Sequence, residues 1–146
     1  MREQTFEVLE SAAAEVMSAP AGIVHSGASV WEVVERFLTG PARHVVVLDP
    51  AGRYVGVIGG RHLAGLWPLD PKQLKATPVD ALGCAAWISL RPDDDLRTCA
   101  RALTEYDVDA VPVLSEESRV IGVVTARDIA RAVADSDAHR HPAWEE

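Results

Sequence analysis

The chain has 146 residues, is nearly half apolar and carries a formal charge of −8. That size allows one compact domain or two very small units, and half of it could hardly bury a sufficient core alone. The acidic balance opposes a nucleic-acid partner, which needs clustered Lys and Arg against phosphates, and no apolar run approaches the roughly 20 residues of a membrane span.

The N-terminus lacks the apolar core of a secretory signal, so a cytoplasmic location is expected. From Thr5 to Met17, residues Phe6, Leu9, Ala13, Val16 and Met17 recur at helical spacing and predict one helix. Pro20 and Gly22 end it, and Ile23-Val24 reads as a short strand. Ser29-Val30-Trp31-Glu32 has the form of a capping box. The helix it opens places Val30, Val33, Val34, Phe37 and Leu38 on one stripe, and Gly40-Pro41 stops it. Val45 to Leu48 and Tyr54 to Ile58 form a hairpin around the turn Asp49-Pro50-Ala51-Gly52. A short helix, Arg61 to Leu66, follows.

Trp67 to Pro78 reads as a linker, because Pro68, Pro71 and Pro78 are not tolerated inside regular elements. Then the order repeats. Trp87 to Leu90 is a short strand, and Asp93 or Asp94 caps a helix reaching Glu105 whose buried face holds Leu96, Cys99, Ala100 and Leu103. Ala110 to Leu114 and Val120 to Val124 make a hairpin around Ser115-Glu116-Glu117-Ser118. A last helix spans about Ala126 to Ala134, and the tail from Asp135 to Glu146 is polar and frayed. Cys84 and Cys99 sit in Ala-rich apolar contexts and read as buried thiols.

The second half restates the first. Val45-Val46-Val47-Leu48 through Val57-Ile58 aligns without gaps on Val111-Pro112-Val113-Leu114 through Val123-Val124, and Gly59-Gly60-Arg61-His62-Leu63 falls on Thr125-Ala126-Arg127-Asp128-Ile129. The period, about 66 residues, is longer than that of solenoid repeats. It implies two small α/β (α+β) units, each β-α-β-β-α, packed pseudo-symmetrically on a shared core. The units are placed at residues 8–67 and 79–134, with a linker at 68–78.

These residues in this order resemble the cystathionine-β-synthase (CBS) domain family, arranged as the tandem pair called a Bateman module. The resemblance implies a regulatory sensor with two pseudo-symmetric clefts that forms a homodimer. Members bind AMP, ADP or ATP, and some bind S-adenosylmethionine or NAD. The output would go to a separate effector protein. In the family pattern, Thr125 contacts phosphate or ribose and Asp128 accepts from ribose hydroxyls. Independently, Thr125-Ala126-Arg127-Asp128 opens a helix, where free N–H groups favour an anion, and Arg127 adds a cation. The same Thr-x-x-Asp spacing is also that of a capping box, and the two readings are compatible.

By position in the pattern, the rest of that cleft comes from Ala86, Trp87, Ile88, Asp109, Ala110, Val111 and Pro112, with Trp87 a candidate to stack on a base. The first repeat departs from the pattern, with Gly59 for the Thr and His62 for the Asp. Its degenerate cleft offers Arg43, His44, Arg61 and His62, a set expected to be cationic or switchable by mild acid. No metal site is expected from His44 and His62, and His139-Arg140-His141 reads as a solvated tail. No dinucleotide fingerprint, nucleophile elbow or phosphate-binding loop occurs, so no catalysis is expected. The expectation is an adenine-nucleotide sensor; the alternative is a ligand-free dimerisation or interaction module with vestigial sites.

Overall fold

The computed structural model describes residues 7–40, 43–64, 66, 70–82, 88–106 and 108–136. Ala86, Trp87, Cys84 and the tail with His139, His141 and Trp144 lie outside them. The elements run α1 (Ala13–Val16), β1 (Ile23–His25), α2 (Val30–Thr39), β2 (His44–Leu48), β3 (Tyr54–Gly59), α3 (Gly60–Ala64), α4 (Pro71–Ala76), a 3₁₀ turn (Val79–Leu82), α5 (Leu96–Glu105), β4 (Ala110–Leu114), β5 (Val120–Thr125) and α6 (Ala126–Ser136). The architecture is mixed α and β, with two small sheets.

The two sheets are built alike. In the first repeat β1 lies parallel to β2, with Val24 opposite Val47, and β2 is antiparallel to β3. In the second, Leu90 makes an isolated parallel bridge to Val113, and β4 is antiparallel to β5. Both hairpins carry a register shift at the same relative place, Val47/Leu48 and Val113/Leu114. Both turns put one residue in the left-handed region, Gly52 at φ 84° and Ser118 at φ 63°. Continuous apolar strands need cover on both faces. Each gets it: Val45, Val47 and Ile58 face one cluster, and Val111, Val113 and Val124 face another. Between the repeats, Val46, Ala110 and Val123 form a third cluster, flanked by Leu48, Tyr54 and Val120.

The shared core is more intimate than two units laid side by side. The segment leading into the first repeat packs on the second: Ala13, Val16 and Met17 join the cluster of Val111 and Val113, and Ser18 bridges Val123 with bonds of 2.9 Å in both directions. The segment leading into the second repeat packs on the first, where Val79 and Leu82 join the cluster of Val45 and Val47. The bridges Ala12 to Asp95 and Ser29 to Pro78 are mates under this exchange. Gly122 permits it on one side, because the Met17 sulfur lies where a Cβ at 122 would stand.

Local expectations differ from the structure at five places. The predicted helix from Thr5 to Met17 is interrupted, since Ala12 bridges to Asp95 and helix resumes only over Ala13–Val16. Ser29 caps α2 without a side-chain hydrogen bond, so no capping box forms there. Leu38, placed on the buried stripe, lies in the last turn of α2 and is 73% exposed. The linker contains α4, with a full capping box between Asp70 and Gln73 and Pro71 in the first turn. Proline is tolerated at that position because its missing N–H would be unpaired anyway. Finally, Asp95 rather than Asp93 or Asp94 caps α5, accepting from the Thr98 amide at 2.8 Å. That bond holds the Asp95 carboxyl below the usual carboxylate range. Asp94 instead accepts from the Arg91 amide.

Candidate functional site

β5 leads directly into α6, so Thr125, Ala126 and Arg127 stand where the sheet ends and the helix begins. The first N–H groups of a helix have no intrahelical acceptor. Asp128 satisfies one such need from within: its Oδ2 accepts from the Thr125 amide at 2.9 Å and the Thr125 hydroxyl at 3.0 Å, while the Asp128 amide donates to Thr125 Oγ1 at 3.1 Å. The same Oδ2 accepts from the Ser18 hydroxyl at 3.1 Å. Ser18 arrives with the exchanged N-terminal segment, and no pattern around residue 125 in the sequence announces it.

An open cleft of about 510 Å³ faces this helix start. The second repeat contributes Asp109, Thr125, Ala126 and Arg127. The first contributes Ala21, Phe37, Arg43, His44 and Gly60. Two guanidinium-bearing residues and a helix N-terminus therefore share one wall-to-wall space with a single carboxylate, that of Asp109. This arrangement can hold an anionic group at one end and a flat or apolar body against Phe37 and the alanines.

Several residues selected from the sequence do not reach this cleft. Asp128 is 5% exposed and lies beneath Thr125. Ile88 and Val111 are core side chains, and Pro112 is buried. Ala110 is buried between the repeats. Ala21, Phe37 and Gly60, conversely, were not selected. Pseudo-symmetry carried the signal for them: the cleft lies between repeats, so half its lining comes from the repeat without the Thr-x-x-Asp motif.

Among the described residues, the place of its mate holds only a small cavity. A cavity of about 10 Å³ is lined by His44, Val57, Gly59, Arg61, His62, Val108, Asp109 and Ala110. That volume approximates what one solvent molecule needs. His62 occupies the place of Asp128 and does the same local job, its Nδ1 accepting from the Gly59 amide at 3.0 Å. A Cβ on Gly59 would come within 2.7 Å of Asp109 Oδ2, so the carboxylate of the second repeat fills the room that Thr125 fills in its own repeat. Arg61 reaches across to donate to the Tyr106 carbonyl at 3.2 Å.

The two histidines bind protons less readily than free imidazole. His44 is 5% exposed, and its Nε2 accepts from the Ala21 amide at 3.1 Å. Burial pushes it below the ordinary imidazole value, against the opposing pull of Asp109 and Asp128. Burial also lowers His62, with the nearby Arg61 adding to it and the Gly59 bond and Asp109 opposing. In both rings burial therefore favours the neutral form. Among the described residues, no group of three or more His, Cys, Asp or Glu could hold a metal ion. None of their helices is long and apolar enough to cross a membrane. Cys99 is fully buried, and burial raises its thiol to about 11, which makes it a poor nucleophile.

The family model of the CBS domain matches the chain twice, over residues 13–66 and 85–135. The magnesium transporter MgtE of Thermus thermophilus is 31% identical over 140 residues, 90% of this chain and 29% of that protein. The chain spans 22% and 29% of the length of two curated relatives it matches. Among solved structures, the CBS domain protein PAE2072 from Pyrobaculum aerophilum, complexed with AMP, superposes with a TM-score of 0.71 at 18% identity, covering 86% of this chain and 99% of that one. CbpB in complex with c-di-AMP superposes with a TM-score of 0.72 at 15% identity, covering 94% of each.

Proposed function

We propose, for a chain that belongs to the CBS domain family and carries two such domains in tandem, a regulatory role: it binds an adenine nucleotide of the AMP, ADP or ATP kind and passes its occupancy to a separate effector protein. The units are those at residues 8–67 and 79–134. The observation that carries this reading is the contrast between the clefts, about 510 Å³ beside Arg43, Arg127 and the start of α6 against about 10 Å³ for its mate. Fold relatives complexed with AMP and with c-di-AMP support the ligand class. Thr125 and Arg127 hold the phosphate end, and Phe37 and Ala21 offer apolar cover to the base. In this reading the role is binding, in the cytoplasm and as a homodimer. A ligand that prefers one packing of the two repeats shifts the population toward it by its differential affinity.

Titration calorimetry with AMP, ADP, ATP, c-di-AMP, S-adenosylmethionine and NAD tests this. One ligand should bind, and Arg127→Ala should weaken it about tenfold or more, a loss of about 1.4 kcal/mol. A folded protein that binds none of the panel overturns the reading. The second reading, a ligand-free dimerisation module, is favoured by the exposed apolar side chains Leu38, Ile121 and Ile23, and it then predicts an unchanged dimer with no ligand heat.

A further inference from the structure

We propose that the second repeat carries a binding site for a dibasic α-amino acid, of the lysine or ornithine kind, at the end of its hairpin away from the larger cleft. The site is independent of the nucleotide reading, because the two places share no lining residue.

A groove of about 640 Å³ lies where Leu90 gives way to the loop before α5, against Leu114 at the end of β4. Asp109, which lines the larger cleft, stands just before β4, so the strand lies between the two sites. Its five residues span about 17 Å.

The groove has a cause in the sequence. In the first repeat, β1 pairs with β2 over three residues, ending at His25 and Leu48, and the Ser26 amide donates to the Leu48 carbonyl at 2.7 Å. In the second repeat Pro92 falls on Ser26 and Leu114 on Leu48. Proline has no N–H to donate. Among the described residues the parallel pairing there is the one bridge of Leu90 to Val113. It stops short of Arg91, and the groove opens where the first repeat has a hydrogen bond.

Both walls are held by backbone bonds. On one side, the Asp94 carboxylate accepts from the Arg91 amide at 2.8 Å, and the Ala13 and Ala14 amides donate to the Asp94 and Pro92 carbonyls at 2.7 and 3.0 Å. On the other, the Ser115 amide donates to the Arg119 carbonyl at 2.9 Å. The floor is apolar: Leu90 is buried, and Pro92 and Leu114 are half-buried. The rim is charged, with Arg91, Asp93 and Glu116 exposed around the same space. Among the described residues, neither the Arg91 guanidinium nor the Asp93 and Glu116 carboxylates make a hydrogen bond or ion pair. The frame is ordered in advance while its charged groups are unspent, which lowers the cost of binding.

One cation and two anions call for the inverse set in a ligand, one carboxylate and two cations. A dibasic amino acid supplies it. Its carboxylate meets the Arg91 fork, its two ammonium groups meet Asp93 and Glu116, and its methylenes cross Leu90, Pro92 and Leu114. A neutral amino acid leaves one rim carboxylate unmatched, a diamine leaves the guanidinium unmatched, and a dicarboxylic acid meets a rim of net negative charge. A metal ion does not fit, since no group of three or more suitable side chains occurs among the described residues.

The experiment follows backbone amide shifts by NMR as lysine, norleucine, 1,5-diaminopentane or glutamate is added to the whole chain. Lysine should move the amides of Leu90, Arg91, Asp93, Leu114 and Glu116 and leave those of Thr125 and Arg127 in place. An ion pair open to solvent counts for about two- to fivefold in affinity. Norleucine and the diamine should therefore each bind about two- to fivefold more weakly than lysine, and glutamate more weakly still. Arg91→Gln should weaken lysine by a similar factor and leave the diamine no weaker, since the diamine has no carboxylate to lose. Asp93→Asn combined with Glu116→Gln should erase the preference for lysine over norleucine. These side chains are exposed, and circular dichroism checks that each variant keeps the native fold. No shift around the groove with lysine in large excess overturns the proposal. So does an equal response to lysine, norleucine and the diamine, or a preference for lysine that survives both sets of substitutions. A separate AMP titration reads the larger cleft, so failure at the groove is distinguishable from failure of the nucleotide reading.

Discussion

The two imidazoles of the first repeat show how a substitution can keep a local structure and change its chemistry. His62 does for Gly59 what Asp128 does for Thr125, accepting the amide at the strand-to-helix junction. A carboxylate accepts at any pH above its own range, whereas an imidazole accepts only while neutral. Both His62 and His44 have folded values below the ordinary 6.5, with burial the largest cause. A group that binds its proton more weakly when folded gives acid a preference for the unfolded chain. Its contribution is complete above about pH 6.5 and is lost as pH falls through the folded value. The thermal midpoint should therefore drop between about pH 7 and pH 5. His62→Asn and His44→Gln, which retain an acceptor without a titrating ring, should each shrink that drop. A drop of unchanged size in the double variant would assign the acid sensitivity to other groups.

At the scale of elements, caps separate what the sequence spells from what the chain uses. Ser29-x-x-Glu32 has the spelling of a box and makes no side-chain bond, because the N-terminus of α2 is held by its backbone instead: the Val30 amide donates to the Thr77 carbonyl at 2.8 Å. Asp70-Pro71-Lys72-Gln73 makes both reciprocal bonds, at 2.8 and 2.9 Å. Three prolines in that stretch hid the helix, though Asp followed by Pro and then Gln is itself a start signal. Asp70→Ala and Asp95→Ala should each destabilise by about 0.5–2 kcal/mol, while Ser29→Ala should cost only a few tenths, roughly. Chemical denaturation of the three single variants gives the comparison. A Ser29→Ala loss equal to the other two would mean that its hydroxyl caps α2 in solution. The hairpins and the buried faces of α2 and α5 were legible because period and turn chemistry agree over five or more residues. The cleft was legible only as a motif, since Thr125 and Arg127 face it but its other half lies on a repeat that lacks the motif.

At the scale of the molecule, the exchange of leading segments decides how the repeats depend on each other. Sequence identity between the halves implied a shared core, but not that each half lends the other a piece, because that is a property of connectivity rather than composition. The segment up to Ser18 supplies Ala13, Val16 and Met17 to the second repeat's cluster, the Ser18 bridge to β5, and the Ser11 carbonyl that accepts the Leu96 amide at the start of α5. Burial of each such side chain contributes on the order of 1–3 kcal/mol, and Ser18 also holds Asp128 under the cleft. Deleting residues 1–18 should therefore injure the repeat far from the cut in sequence. Hydrogen exchange should show Val111, Val113 and Val124 losing protection first, with Val45 and Val47 retaining more, since their cluster is completed by Val79. Restoring the deleted residues as a separate peptide should recover protection in β4 and β5 if the packing is direct. Loss confined to the first repeat, or equal loss in both at every denaturant concentration, would mean that the repeats rise and fall as one unit and that the lent segment carries no repeat of its own.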